Sequence, residues 1–138
     1  MQSAEVGGSV AAVGPMKRIT VSIISHGHGE MVPSLIEHLL ACPEVGQVVL
    51  TRNIPEDGSL PEDPRLTLID NPAPKGFAAN HNAAFARSLH PFFCPLNPDI
   101  TLLADPFGPL LAAMDRHQAA VVAPLVVSAS GGVEDSIR

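Results

Sequence analysis

The apolar positions of this chain fall into short β-branched runs separated by stretches with helical spacing. Ile19-Thr-Val-Ser-Ile-Ile24 is β-branched almost throughout and stops at Ser25-His-Gly-His-Gly29, which predicts a buried strand ending at a glycine-rich turn. A helix follows: Pro33 suits its first turn, Leu35, Ile36, Leu39 and Leu40 form one apolar stripe, and Pro43 ends it. Gln47–Thr51 supplies a second strand and Leu66–Ile69 a third, separated by a loop dense in Pro, Gly, Asp and Glu from Asn53 to Pro64. Beyond the Asn71–Gly76 loop, the Ala-rich segment Phe77–Leu89 favours a helix. Phe92, Phe93 and Cys94 then lead through Pro95 and Leu96 into Asn97-Pro98-Asp99, and Pro95 makes this strand short or places it at an edge. A further helix starts with Asp105 as N-cap and Pro106 at its first position and carries Leu110, Leu111 and Met114 inward, after which Ala119–Val127 reads as the last strand. Residues 1–17, rich in Gly, Ala and Ser and without periodicity, read as a flexible leader ahead of a folded domain over 18–138.

Strands alternating with helices imply an α/β fold with a mostly parallel sheet flanked by helices, joined by right-handed crossovers. Ligands of such sheets bind beyond the carboxyl ends of the strands. The loops to watch are therefore Ser25–Glu30, Thr51–Ile54, Asp70–Gly76 and Asn97–Asp99.

Composition narrows the class. With 46% hydrophobic and 16% charged residues the chain is too apolar and too weakly charged to be disordered. A formal net charge of −6 removes the basic field that non-specific nucleic-acid binding needs, and the absence of Trp and Tyr removes the best stacking platforms, so nucleic acid is not the expected partner. Cys42 and Cys94 lie in or beside apolar runs without ligand spacing and read as buried thiols. Lys17 and Arg18 follow the small-residue stretch instead of preceding it, opposite to a secretory signal, and the longest apolar run, Ala119–Val127, is too short to span a bilayer. A soluble, reducing, cytoplasmic setting is the resulting expectation.

Two motifs fall at the expected ligand edge: Gly76-Phe-Ala-Ala-Asn-His-Asn82 and Leu96-Asn-Pro-Asp99. Gly76 would allow a sharp turn and close approach of a ligand, and the helix after it offers free N–H groups to an anion. Asn80 reads equally well as a residue that caps or solvates this helix. Taken alone, Asn97-Pro98-Asp99 reads as an Asx-Pro turn closing a strand. His26 and His28 could bind a metal, although no third ligand lies nearby in sequence.

In their order and spacing, Val21-Ser-Ile-Ile-Ser25, Asn71, Gly76-Phe77 through Asn82, Asn97-Pro98-Asp99 and Glu134-Asp135-Ser-Ile-Arg138 resemble the family 2 glycosyltransferases of the rhamnosyltransferase-like branch. The resemblance runs from about Arg18 to Arg138. It implies a GT-A, Rossmann-like fold that binds a nucleotide-diphosphate sugar, UDP- or dTDP-linked, and transfers the sugar with inversion to an acceptor hydroxyl in cell-surface polysaccharide synthesis. The acceptor would be a glycan or a lipid-linked sugar, with peripheral membrane association through it. By the resemblance, Asp99 contacts a divalent cation, Mg²⁺ or Mn²⁺, that neutralises the leaving diphosphate, and Asn97 stands where other branches carry a first acid. Ser25 and His26 match the base-contacting end of the first strand, and Gly76, His81 and Asn82 the region that frames the nucleotide. Glu134 and Asp135 match a segment upstream of the family's catalytic acidic pair and read as polar tail residues. The catalytic base and acceptor elements are expected in a C-terminal half that this chain lacks. Apolar surface left uncovered by that half would favour self-association.

Several positions depart from the pattern. Ser25-His-Gly-His28 stands where the branch has Ser-Tyr-Asn, and a flat imidazole can replace a flat phenol against a base. Arg52 occupies the place of an acid that hydrogen-bonds the pyrimidine, and a guanidinium has no lone pair to offer a base N–H. Asn53 could take that contact through its carbonyl. Lys75 replaces an Asn and could reach a phosphate. Two other readings compete. Gly27-His-Gly29 and Arg52 would suit an NADP-binding Rossmann domain, but Val32 stands where its third glycine is required. A non-catalytic binding or assembly module is the other.

Overall fold

The computed structural model describes residues 16–133, so Glu134 and Asp135 and nearly all of the proposed leader lie outside the described residues. Four strands, β1 (Ile19–Ser25), β2 (Val45–Arg52), β3 (Leu66–Asp70) and β4 (Phe92–Leu96), form one parallel sheet in the order β3-β2-β1-β4. Helix α1 (Val32–Ala41) joins β1 to β2, and α2 (Phe77–Phe85) lies between β3 and β4. This is the α/β, Rossmann-like arrangement that the alternation of strands and helices implies, with Pro95 on an edge strand where its missing N–H is tolerated.

The two central strands are buried on both faces, as parallel strands covered by helices must be. One face is apolar: Val21, Ile23, Val48 and Leu50 are buried together with Val32, Leu35, Ile36 and Leu39 of α1. On the other face Thr20, Ser22 and Gln47 are also fully buried, and each is hydrogen-bonded. Gln47 is the hub. Its Oε1 accepts from the Thr20 hydroxyl (2.8 Å) and the Leu89 N–H (3.0 Å), while its Nε2 donates to Thr67 Oγ1 and the Arg87 carbonyl, both at 3.1 Å. One side chain thereby joins β1, β2, β3 and the segment leading into β4.

β1 and β3 each run one residue beyond the sequence reading and β2 gains two residues at its start and one at its end, while α2 ends at Phe85 and not Leu89. Arg87 and Ser88 donate to the carbonyls of Ala84 and Phe85 in a closing turn. The chain divides into two compact units, one ending at Leu103 and one beginning at Ala104. In the second, helix α3 (Phe107–His117) starts one residue later than expected, and Asp105 still accepts the Phe107 N–H at 2.9 Å. Phe107 and Leu111 are buried, whereas Leu110 and Met114 are half-buried. The expected strand over Ala119–Val127 does not form. Pro124 has no N–H for a ladder, Val121 and Leu125 are exposed, and only a single antiparallel bridge pairs Val127 with Val133.

No disulfide joins the cysteines: Cys42 is buried and donates to the His38 carbonyl, and burial pushes the half-buried Cys94 thiol up to about 11. Among the described residues no helix is long and apolar enough to cross a membrane.

Candidate functional site

From β1 the chain passes to β2 on one side, and β4 joins β1 on the other, so the strand order reverses beside β1 and a crevice opens at the carboxyl ends there. A cleft of about 320 Å³ occupies this place, within the range of small-ligand sites. His26 and His28 after β1, Asn53 after β2, Lys75 before α2, Phe77, Asn80 and His81 of α2, and Asn97, Pro98 and Asp99 after β4 line it, with Ile24 and Leu96. All four loops singled out in the sequence thus contribute: Asn97–Asp99 in full, the others through His26 and His28, Asn53, and Lys75.

A polar clasp of three asparagines, Asn53 after β2, Asn71 after β3 and Asn80 in α2, adjoins the cleft, and Asn53 and Asn80 also line it. Asn53 Oδ1 accepts the Lys75 N–H (2.8 Å), and Asn53 Nδ2 donates to the Lys75 carbonyl (3.1 Å), so the side-chain amide pairs with a backbone residue as a strand neighbour would. The same Oδ1 accepts from Asn71 Nδ2 at 2.9 Å and Asn80 Nδ2 at 3.1 Å. Asn71 Nδ2 also donates to Asn80 Oδ1 at 2.7 Å, and Asn80 Nδ2 to the Lys75 carbonyl at 3.2 Å. The clasp ties the end of β2 to the loop after β3 and to the first turn of α2. Asn53 faces the cleft, but its carbonyl is already engaged by three N–H groups.

His81 is buried, with Nδ1 2.9 Å from the Ser22 hydroxyl and its ring edge-on to Phe77 at 4.5 Å. Burial lowers its pKa, so the imidazole that lines the cleft is neutral at pH 7. His26 is exposed and its Nδ1 lies 3.0 Å from Asn53 Nδ2, while the His26 N–H donates to His28 Nδ1 at 3.1 Å. Asn97 and Asp99 are exposed on the opposite rim. Asp99 has no hydrogen-bond or ion-pair partner among the described residues, which leaves its carboxylate open to a ligand.

Other sequence candidates lie elsewhere. Ser25 is buried outside the cleft, donating to Glu56 Oε1 at 2.9 Å, and the Gly27 N–H, at φ +84°, donates to Glu56 Oε2 at 3.3 Å. Asn82 is exposed and does not line the cleft, whereas Asn80, two residues earlier and so on a different face of α2, is fully buried in the clasp. Gly76 does not make the sharp turn expected of it: φ is −70°, open to any residue, although a Cβ there would meet nothing within 4 Å and close approach from solvent remains free. Arg52 turns from the cleft into a bidentate pair with Asp70, Nε–Oδ1 at 2.6 Å and Nη2–Oδ2 at 2.8 Å, which holds the Asp70 carboxyl below its usual range. With Ser25 and Glu56 it borders a hollow of about 20 Å³, room for a water and no more.

The sequence reading missed Glu56, placed in a surface loop, and the joint role of Asn53, Asn71 and Asn80. An asparagine at each strand end or first helical turn facing the same edge was the available signal. No group of three His, Cys, Asp or Glu side chains could hold a metal among the described residues. A hard cation that takes one protein carboxylate and otherwise phosphate oxygens and water still fits Asp99.

Comparison with known protein families matches residues 50–137 to glycosyl transferase family 2. That stretch includes Asn53, the clasp, α2 and Asn97–Asp99, and starts after β1 with its two histidines. No curated protein and no solved structure matches the chain. With well over half of its length matched, and with a parallel α/β sheet whose cleft lies where such sheets hold nucleotides, the chain belongs to glycosyl transferase family 2, a family that transfers sugars from nucleotide-sugar donors.

Proposed function

We propose that this chain is the donor-binding part of an inverting glycosyltransferase of the rhamnosyltransferase-like branch, holding a UDP- or dTDP-linked sugar in the cleft between β1 and β4. The observation that carries the reading is the convergence of His26, Asn53, Lys75, His81, Asn97 and Asp99 on one cleft at the carboxyl edge of the sheet. In this reading the nucleotide lies along the β1–β2 side and the diphosphate reaches toward Asp99. Asp99 would hold Mg²⁺ or Mn²⁺ together with the diphosphate oxygens, and the cation would supply positive charge to the departing diphosphate. Neutral His81 and Asn97 offer hydrogen bonds without adding charge beside the sugar. A glycan or lipid-linked acceptor, approached at a membrane surface in polysaccharide synthesis, completes the reaction.

Two observations weigh against an NADP site. The Glu56 carboxylate caps Gly27 and Ser25 in the very loop that would have to receive a pyrophosphate, and like charges there repel. Arg52, the residue that would pair with a 2′-phosphate, is bound by Asp70 on both edges of its fork. Calorimetric titration of UDP and dTDP beside NADP tests the reading. Binding of a pyrimidine diphosphate without NADP binding supports it, and the reverse result replaces it.

A further inference from the structure

The side-chain amide of Asn53 has only one possible orientation. The Lys75 N–H can only donate and the Lys75 carbonyl can only accept, so the Asn53 atom facing the former is oxygen and the one facing the latter is nitrogen. The remaining hydrogen on Nδ2 points to His26 Nδ1, which must therefore accept it. His28 is fixed in the same way, because its Nδ1 receives a backbone N–H, that of His26. In each neutral ring the proton then sits on Nε2.

These constraints fix what the two histidines of the cleft can present to a ligand. Asn53 Oδ1 and Asn80 Oδ1 are engaged by N–H groups, and Nδ1 of both histidines is engaged as well. With Nδ1 engaged, each neutral histidine ring has an Nε2–H left to offer, beside the Lys75 ammonium that also lines the cleft. The pair is also poorly suited to a metal ion, which needs a ring lone pair, since the lone pair of each neutral ring is the one at Nδ1.

We propose that His26 and His28, each held in the Nε2–H form by the hydrogen bond at its Nδ1, are a paired donor site for an oxygen atom of the bound nucleotide. This supplies recognition where Arg52 leaves no acid. The site selects ligands presenting carbonyl or phosphoryl oxygens to it over those presenting amino groups. The ligand assignment rests on the donor-binding reading above, whereas the tautomers do not.

Two measurements on the whole chain separate the parts. Long-range ¹H–¹⁵N correlation of the imidazoles reads each tautomer without ligand: Nε2–H at His26 and His28 is expected, and Nδ1–H at either overturns the proposal. Titration of UDP, uridine and inorganic pyrophosphate is then compared across the wild-type chain, His26→Asn and His26→Gln. Asn keeps an oxygen near the Nδ1 position for Asn53 but lacks the distal N–H, whereas Gln restores a donor near Nε2. The expected result is UDP affinity lowered about tenfold by His26→Asn and restored to within about threefold of wild type by His26→Gln, the scale of one hydrogen bond in a partly shielded site. A matching loss for uridine places the oxygen on the base, and a matching loss for pyrophosphate places it on the diphosphate. Unchanged UDP affinity in His26→Asn overturns the proposal while leaving the donor-binding reading intact. No UDP binding by the wild-type chain overturns the ligand assignment together with that reading.

Discussion

The Asn53 side chain and the Lys75 backbone form a closed pair of hydrogen bonds, 2.8 and 3.1 Å, across 22 residues of sequence. Through it the end of β2 fixes the loop that introduces α2, and so fixes the rim of the cleft. Replacing Asn53 by Ala leaves the Lys75 N–H and C=O without this partner and the amides of Asn71 and Asn80 without a shared acceptor. The expected cost is about 1–3 kcal/mol, read as a lower denaturant midpoint at unchanged slope, together with weaker nucleotide binding.

Gln47→Leu tests the second polar hub. Leu fills similar space but strands the Leu89 N–H and the Arg87 carbonyl, and removes the partners of the Thr20 and Thr67 hydroxyls. Destabilisation of roughly 2–4 kcal/mol is expected in chemical unfolding, larger than for ordinary surface substitutions.

His81 makes stability depend on pH with a definite sign. Burial holds its folded-state pKa below the unfolded value near 6.5, so the unfolded chain binds the additional proton first. Stability contributed by the neutral ring is complete above that value and falls as pH drops toward the folded pKa. Unfolding midpoints at pH 7.5 and 5.0 should therefore diverge in the wild-type chain and diverge less in His81→Gln.

Phe85 and Leu89 are exposed, and Phe85 packs edge-on against Phe93 of β4 at 5.2 Å. Concentration-dependent light scattering should show a mass rising above the 14.4 kDa chain, and Leu89→Ser should reduce it. A concentration-independent monomer would contradict the expected self-association.

The parallel sheet and its ligand edge were legible because β-branched runs and helical stripes alternate cleanly, and because topology alone sends ligands to the carboxyl ends. The Ala119–Val127 strand was misread since an apolar run does not reveal whether a neighbour exists to pair with it. Within the site, Asn97 and Asp99 stood out through their motif, whereas the pairing of Arg52 with Asp70 depends on β2 and β3 being adjacent and in register at those two residues. Asn80 was underrated for a similar reason: its burial comes from Asn53 and Lys75, partners that only the folded chain brings near.

The most direct test of the account is UDP binding by the whole chain with and without Mn²⁺, in the wild type and in Asp99→Ala. Asp99 is exposed and makes no hydrogen bond or ion pair among the described residues, so the variant should unfold like the wild type. The account predicts that Mn²⁺ strengthens UDP binding by at least about tenfold in the wild type, the scale of a charge-assisted contact, and not at all in Asp99→Ala. UDP affinity that is indifferent to both the cation and Asp99 would contradict it.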